Sequence, residues 1–378
     1  MGNRGFGKSI LIACMTGLMF SCEPAEQNEK IVEVEELTLL VGTYTGRDSE
    51  GIYVYKFNPE TAEVRLVDVA EGLKNPSFLA LSPNNKYVYA VGEMEGGSVK
   101  ALSLGDSTIT LLNEVSSAGV HPCHLDVDES GKWVIVGNYS SGSLAVLPIK
   151  DGGILGEAVQ ELRHKGSGPN KERQASPHVH SVNIAPNNKD VFVPDLGMDK
   201  VIAYRFNDST GKLTEGKSMA VSPGSGPRHF TFHPNGKFGY VVQEMTGTIT
   251  VFNYTDGSLE TVEEVSTLPD GFDGKNASSD LHISPDGKFL YAANRYHDSI
   301  VVFSINSKTG KLTQVSHHST MGEIPRNFAI SPDGKYVLVG NQESDNIIIF
   351  KRDIATGKLT PTGQEIAVSM PVCLLFVE

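Results

Sequence analysis

The chain has 378 residues, with 45 Asp and Glu against 32 Lys and Arg and a formal charge of −13. A balance this acidic, with no basic stripe, excludes a nucleic-acid-binding role. The four cysteines and the scattered histidines show no metal-ligand spacing, so neither a disulfide framework nor a metal or other cofactor is expected.

The first element is a leader. Arg4 and Lys8 precede an apolar run over residues 10–20, followed by Ser21-Cys22 and an acidic, polar tract to Glu36. This pattern predicts an export signal over residues 1–21, too short and too weakly flanked to be a stable membrane span. Its ending, Leu18-Met19-Phe20-Ser21-Cys22, resembles a bacterial lipobox. Cys22 is therefore expected to be a lipidated mature N-terminus, with residues 22–36 as a flexible tether. The chain would then meet a membrane only through that anchor, as an exported lipoprotein of the periplasm or outer membrane.

From residue 37 to residue 378 a single domain is expected. One phrase returns about every 50 residues: a Pro or small residue, alternating apolar positions, Ser-Pro-Asp-Gly-Lys, an aromatic and a short apolar strand. It reads PSFLALSPNNKYVYAV from Pro76, PCHLDVDESGKWVIVG from Pro122 and VHSVNIAPNNKDVFVP from Val179. It continues as PRHFTFHPNGKFGYVV from Pro227, SSDLHISPDGKFLYAA from Ser278 and PRNFAISPDGKYVLVG from Pro325. Repeats of short strands at this period predict an all-β fold, a β-propeller of four-stranded antiparallel blades. A last copy, PVCLLFVE from Pro371, stops after one strand. Residues 38–44 and 51–57 supply the strands it lacks, so both chain ends share one blade and close a ring of seven.

Aligning the repeats shows where they differ. One slot at the entry to the innermost strand holds Ser77, Cys123, His180, Arg228, Ser279 and Arg326. The next holds Phe78, His124, Ser181, His229, Asp280 and Asn327. The end of the second strand holds Glu93, Tyr139, Leu196, Glu244, Arg295 and Gln342. Antiparallel pairing puts these slots around one mouth of the central channel. Single polar residues here often brace neighbouring blades, and Arg326 and His229 are open to that reading. His180, Arg228, Glu244 and Arg295 in three successive blades point to a functional mouth.

These residues carry a family resemblance over residues 38–378. The chain resembles the seven-bladed propeller lactonases, the bacterial 6-phosphogluconolactonase family, which also includes a fungal carboxymuconate cycloisomerase. The most specific stretch is Gly166-Ser167-Gly168-Pro169-Asn170-Lys171-Glu172-Arg173-Gln174, leading to Pro177-His178-Val179-His180-Ser181. Further matches are Gly226-Pro227-Arg228-His229, Gln243-Glu244, Ser279-Asp280-Leu281-His282 and Asn294-Arg295. The resemblance implies lactone hydrolysis, with the family's active-site His, two Arg and Glu falling on His180, Arg228, Arg295 and Glu244.

The residue types suit that chemistry. His180 is expected to be the general base on water, Arg228 to hold the oxyanion, and Arg295 to grip a substrate carboxylate or phosphate. Glu244 is expected to orient His180, to protonate the leaving oxygen if its pKa is raised, or to form an ion pair with an Arg. His124, His178, Asp280, His282 and Arg326 are the expected supporting residues around an anionic lactone. The chain has no G-x-S-x-G elbow, so direct water attack is expected. The basic segment from Glu161 to Ser176, with Arg163, Lys165, Lys171 and Arg173, reads as a lid or as a solvated loop. Two alternatives stay open: an exported binding propeller without enzymatic activity, and a muconate-type cycloisomerase.

Overall fold

A computed structural model describes residues 1–9 and 35–377; the expected Cys22 lipidation site, and most of the expected signal and tether, lie outside them. Residues 1–9 have no regular secondary structure. The rest forms seven antiparallel sheets and, among the described residues, one short 3-10 turn, Asp151–Gly153. Blades 1 to 6 span residues 79–116, 122–163, 183–220, 227–266, 277–319 and 325–367. Blade 7 is built from both ends, in the order Pro371–Val377, Leu37–Thr43, Gly51–Phe57 and Val64–Glu71. The expected shared blade is therefore present, with Leu39 opposite Phe376 and Val41 opposite Leu374.

The repeated phrase has a local cause. Ser284 Oγ donates to Asp286 Oδ1 at 2.6 Å and accepts the Phe289 N–H at 3.1 Å, so the turn closes on itself before the next strand begins. Ser331 and Asp333 repeat the closure in blade 6, and Ser82 with Asn84 in blade 1. A second repeated device joins neighbouring blades. Tyr240 and Tyr291, buried on their second strands, donate to Gly310 O at 2.9 Å and Gly357 O at 2.8 Å in the blade that follows. Gly357 has φ +74, and a Cβ there would lie 2.5 Å from the Phe289 ring, so only glycine fits the turn.

Apolar alternation then stacks the blades. Seven hydrophobic clusters lie one at each junction between neighbouring blades. The closing strand serves two of them: Leu39 and Val41 face blade 6, and Leu40 faces blade 1. Gly42 allows close approach, since a Cβ there would meet Pro76 O at 2.4 Å. The first strands of each blade surround the central channel, and their pairing with second strands fixes the mouth. Pro227 lies opposite Gln243, and Ala277 opposite Arg295, so the start of one strand meets the end of the other.

Leu374 is 4% exposed and sits in the junction between blades 6 and 7. Leu374→Ala should cost about 2–4 kcal/mol through lost burial and the cavity left at the ring closure. Chemical denaturation of the purified protein measures it; a loss below about 1 kcal/mol would show that closure does not depend on this packing.

Candidate active site

In an unbroken strand, successive side chains point to opposite faces. The inner strands depart from that rule at the mouth. Register shifts fall between Pro122 and His124, Pro227 and Phe230, Ser278 and Leu281, and Pro325 and Asn327. A bulge of this kind re-aims side chains. In blade 4 it lets consecutive residues Arg228 and His229 both be buried and touch, with Arg228 Nη1 3.2 Å from His229 Nε2. In blade 3 the inner strand shortens to Asn183–Ile184, with a single bridge from Val179 to Asp195 beyond it. His180 lies between these two, its N–H held by Pro194 O at 3.0 Å.

Glu244 is the hub of the mouth. It follows the strand Phe238–Gln243, is 4% exposed, and is tied by its N–H to Gly226 O. Its Oε2 lies 2.9 Å from Arg295 Nη2, 3.2 Å from Arg228 Nε and 3.6 Å from His180 Nε2. Its Oε1 accepts from Arg173 Nη2. Burial alone would raise the carboxyl pKa, but Arg295, Arg228 and Arg173 together pull it down to about 2. Glu244 is thus an anion at neutral pH, in the ion-pair arrangement rather than that of a proton donor. Arg228 Nε and Arg295 Nη2 thus share one carboxylate oxygen, and both guanidinium groups are held at the mouth by the same ion-pair partner.

Burial, reinforced by the charges of Arg228 and Arg326, holds His180 well below its ordinary pKa of 6.5, so its imidazole is neutral. Its Nδ1 lies 3.8 Å from the buried Cys123 Sγ, and its ring packs edge-on against Tyr139 and His229. Arg228 is 2% exposed; burial, then Arg295 and Arg326, lower its pKa to about 10, still charged at neutral pH. Its Nη1 also donates to Ser279 O.

A guanidinium can only donate, so His229 Nε2 must accept and its Nδ1 carries the proton. That proton goes to Asp280 Oδ1 at 2.7 Å. Asp280 Oδ2 in turn receives His282 Nε2 at 2.9 Å and Asn327 Nδ2 at 2.6 Å. Burial would raise the Asp280 pKa, but the charge of His282, with hydrogen bonds from His229 and His282, holds it below its ordinary value.

The structure brings His180, Arg228 and Arg295 together on Glu244, while the other expected residues stand further out. Asp280 joins through His229, and His282 joins through Asp280. His124 stacks on Phe78 at 3.9 Å and meets the His229 ring edge-on, and His178 stacks on Tyr139. Arg326 turns to blade 7, donating to Tyr44 OH at 2.7 Å, and Tyr44 donates to Glu93 Oε2 at 2.8 Å. Four participants are not among the site residues expected from the sequence. His229 is visible in its slot, where a bracing role is left open. Glu93 occupies the same slot as Glu244 and so was findable. Tyr44 and the reach of Arg173 had no repeat position to mark them.

A seven-bladed ring with a neutral imidazole, a caged carboxylate and buried guanidinium groups at one mouth defines a site for a small polar molecule. The chain belongs to the lactonase family of seven-bladed β-propellers: the family model "Lactonase, 7-bladed beta-propeller" matches residues 38–376. It is 39% identical over 293 residues to the 6-phosphogluconolactonase of Bacillus subtilis, covering 76% of this chain and 83% of that protein. A 6-phosphogluconolactonase of Formosa agariphila is also 39% identical, over 302 residues, covering 77% of this chain and 85% of its own. Among solved structures, the Pseudomonas aeruginosa periplasmic gluconolactonase superposes with a TM-score of 0.87 at 35% identity, covering 91% of this chain and 99% of that one.

The buried histidines make stability depend on pH. Burial lowers the pKa of His124, His180 and His229, the last to about 4, against about 6.5 in an unfolded chain. As pH falls below about 6.5 the unfolded chain takes up protons that the folded protein refuses, so stability falls. His282, with its pKa raised by Asp280, and Asp126, raised by burial to about 6, work in the opposite sense but are two groups against three. His229 alone should cost about 2 kcal/mol between pH 7 and pH 5. Thermal melts at the two pH values test this, and equal stability at both would contradict neutral buried histidines.

Proposed function

We propose that this chain is a lactone hydrolase of the 6-phosphogluconolactonase type, acting on a sugar aldonolactone or phosphoaldonolactone. The observation that carries the reading is the convergence of two buried guanidinium groups, Arg228 and Arg295, on Glu244 beside a neutral His180. One such cation suits an oxygen on which charge develops, and a second suits an anionic group on the substrate. The names of the relatives support the same reaction class.

In this reading water attacks the lactone carbonyl carbon and gives its proton to His180 Nε2. The carbonyl oxygen becomes an oxyanion against the Arg228 guanidinium. The intermediate collapses by breaking the bond to the ring oxygen, and His180 returns its proton to that oxygen, leaving a hydroxy acid. Arg295 holds the substrate's anionic group. Glu244, ionised and held by three arginines, orients both guanidinium groups and sets the field at His180, and does not donate a proton.

His180→Ala and Arg228→Ala should each lower kcat about 100-fold or more. Arg295→Ala should act mainly by raising KM for acidic lactones, because the charge it grips is unchanged in the transition state. His180 must be neutral to act and its pKa is lowered, so the acid limb of the kcat/KM profile should lie below pH 6.5. Steady-state assays on a panel of aldonolactones decide the matter. Losses in thermal stability alone, with kcat intact, would make these residues blade braces.

We also propose export as a lipoprotein through Cys22. The leader pattern supports it, and the Pseudomonas aeruginosa relative is named periplasmic. Cys22→Ser should move the protein from membrane to soluble fractions. Mass spectrometry of the mature N-terminus checks it, and cleavage elsewhere without acyl chains would end the idea.

A further inference from the structure

We infer that Arg173 selects lactones that carry an anionic substituent away from the reacting ester, acting as a specificity arm over the mouth; this rests on the reading of the mouth as a lactone site. Three guanidinium groups, those of Arg173, Arg228 and Arg295, surround the one carboxylate of Glu244. The mouth therefore carries an excess of positive charge within a chain whose net charge is −13. Of the three side chains, those of Arg228 and Arg295 are 2% and 12% exposed, whereas that of Arg173 is 44% exposed. Arg173 is the one an incoming ligand meets first.

The arm is built rather than loose. Asn170 Oδ1 accepts the N–H groups of Glu172 and Arg173, each at 3.0 Å, and fixes the turn that presents Arg173. Gln174 is fully buried; its Nε2 donates to Leu196 O at 2.8 Å and Asp199 Oδ1 at 2.7 Å, and its Oε1 accepts the Asn170 N–H. Asp199 also accepts the N–H groups of Gly224 and Gly226, just before Arg228. One buried carboxylate thus fixes both the loop bearing Arg173 and the entry of the strand bearing Arg228. This gives Gln174 and Asp199 positioning roles and sets Arg173 relative to the oxyanion site.

The guanidinium also has a way to change partner. Arg173 contacts Glu244 through Oε1, while Arg228 and Arg295 hold Oε2, so Glu244 keeps two cations when Arg173 turns to a substrate. Tyr139 OH, 3.4 Å from Arg173 Nη2, lines the same approach. A guanidinium fork matches the paired oxygens of a phosphate or carboxylate better than a lysine does. A neutral lactone offers it nothing.

The test compares wild type, Arg173→Gln and Arg173→Lys on 6-phosphogluconolactone and on neutral glucono-δ-lactone. Calorimetric binding of 6-phosphogluconate and of gluconate is measured in parallel. Arg173→Gln should lower kcat/KM for the phosphorylated lactone about 10- to 100-fold, mainly through KM, the worth of a charged hydrogen bond. The neutral lactone should lose at least about fivefold less than the phosphorylated one, and Arg173→Lys should keep part of the preference. An equal loss on both lactones, or no loss on either, overturns the assignment. If wild type hydrolyses neither lactone, the proposed function fails and the binding measurement still decides. A preference for 6-phosphogluconate over gluconate that Arg173→Gln reduces about tenfold or more supports the arm; an absent or untouched preference overturns it.

Discussion

Ring closure is the constraint on which the rest of the structure depends. Six complete repeats leave an exposed edge at each end, and pairing Leu37–Thr43 with Pro371–Val377 removes both. The closing strand also completes two hydrophobic junctions, through Leu39 and Val41 on one side and Leu40 on the other. Only a closed ring fixes the radius of the channel, and the polar cluster is sized to that radius. Arg326 of blade 6 reaches Tyr44 of blade 7, Tyr44 reaches Glu93 of blade 1, and Cys123 of blade 2 meets His180 of blade 3. An open ring would separate these partners by far more than a hydrogen bond.

Within the ring, burial and charge compete at each titratable group. Desolvation pushes Glu244 toward the neutral acid, and three guanidinium groups reverse it. The same burial keeps His180 and His229 neutral, since here the neighbouring cations add to desolvation instead of opposing it. One environment therefore yields an ionised carboxylate and neutral imidazoles side by side. His229 adds a mechanical role. Donating to Asp280 and accepting from Arg228, it holds a guanidinium in one orientation through a single defined tautomer.

Bulged inner strands make this density of polar groups possible. A regular strand would send one of Arg228 and His229 to the channel and the other into the blade. The register shift between Pro227 and Phe230 brings both inward, and a similar shift in blade 5 lets Ser279 and Asp280 both be buried on neighbouring paths. The site is thus placed where the ladder is locally broken, and the rest of each blade keeps the repeat.

The sequence by itself determined the repeat, the number of blades, the shared closing blade and the slots that meet at the mouth. Each follows from local physics: alternation, a Ser-Asp turn that closes on itself, and antiparallel pairing that sets start against end. His180, Arg228, Glu244 and Arg295 were legible because near-identical units make an unlike residue conspicuous. Tertiary structure alone decided who touches whom. It gave Glu244 three cations instead of one, made His229 the link between Arg228 and Asp280, turned Arg326 away to Tyr44, and brought Arg173 across from a loop outside the repeat. The reason is physical: bulges shift register by a residue or two, and long side chains choose partners across blades by burial and charge, which no repeat alignment encodes.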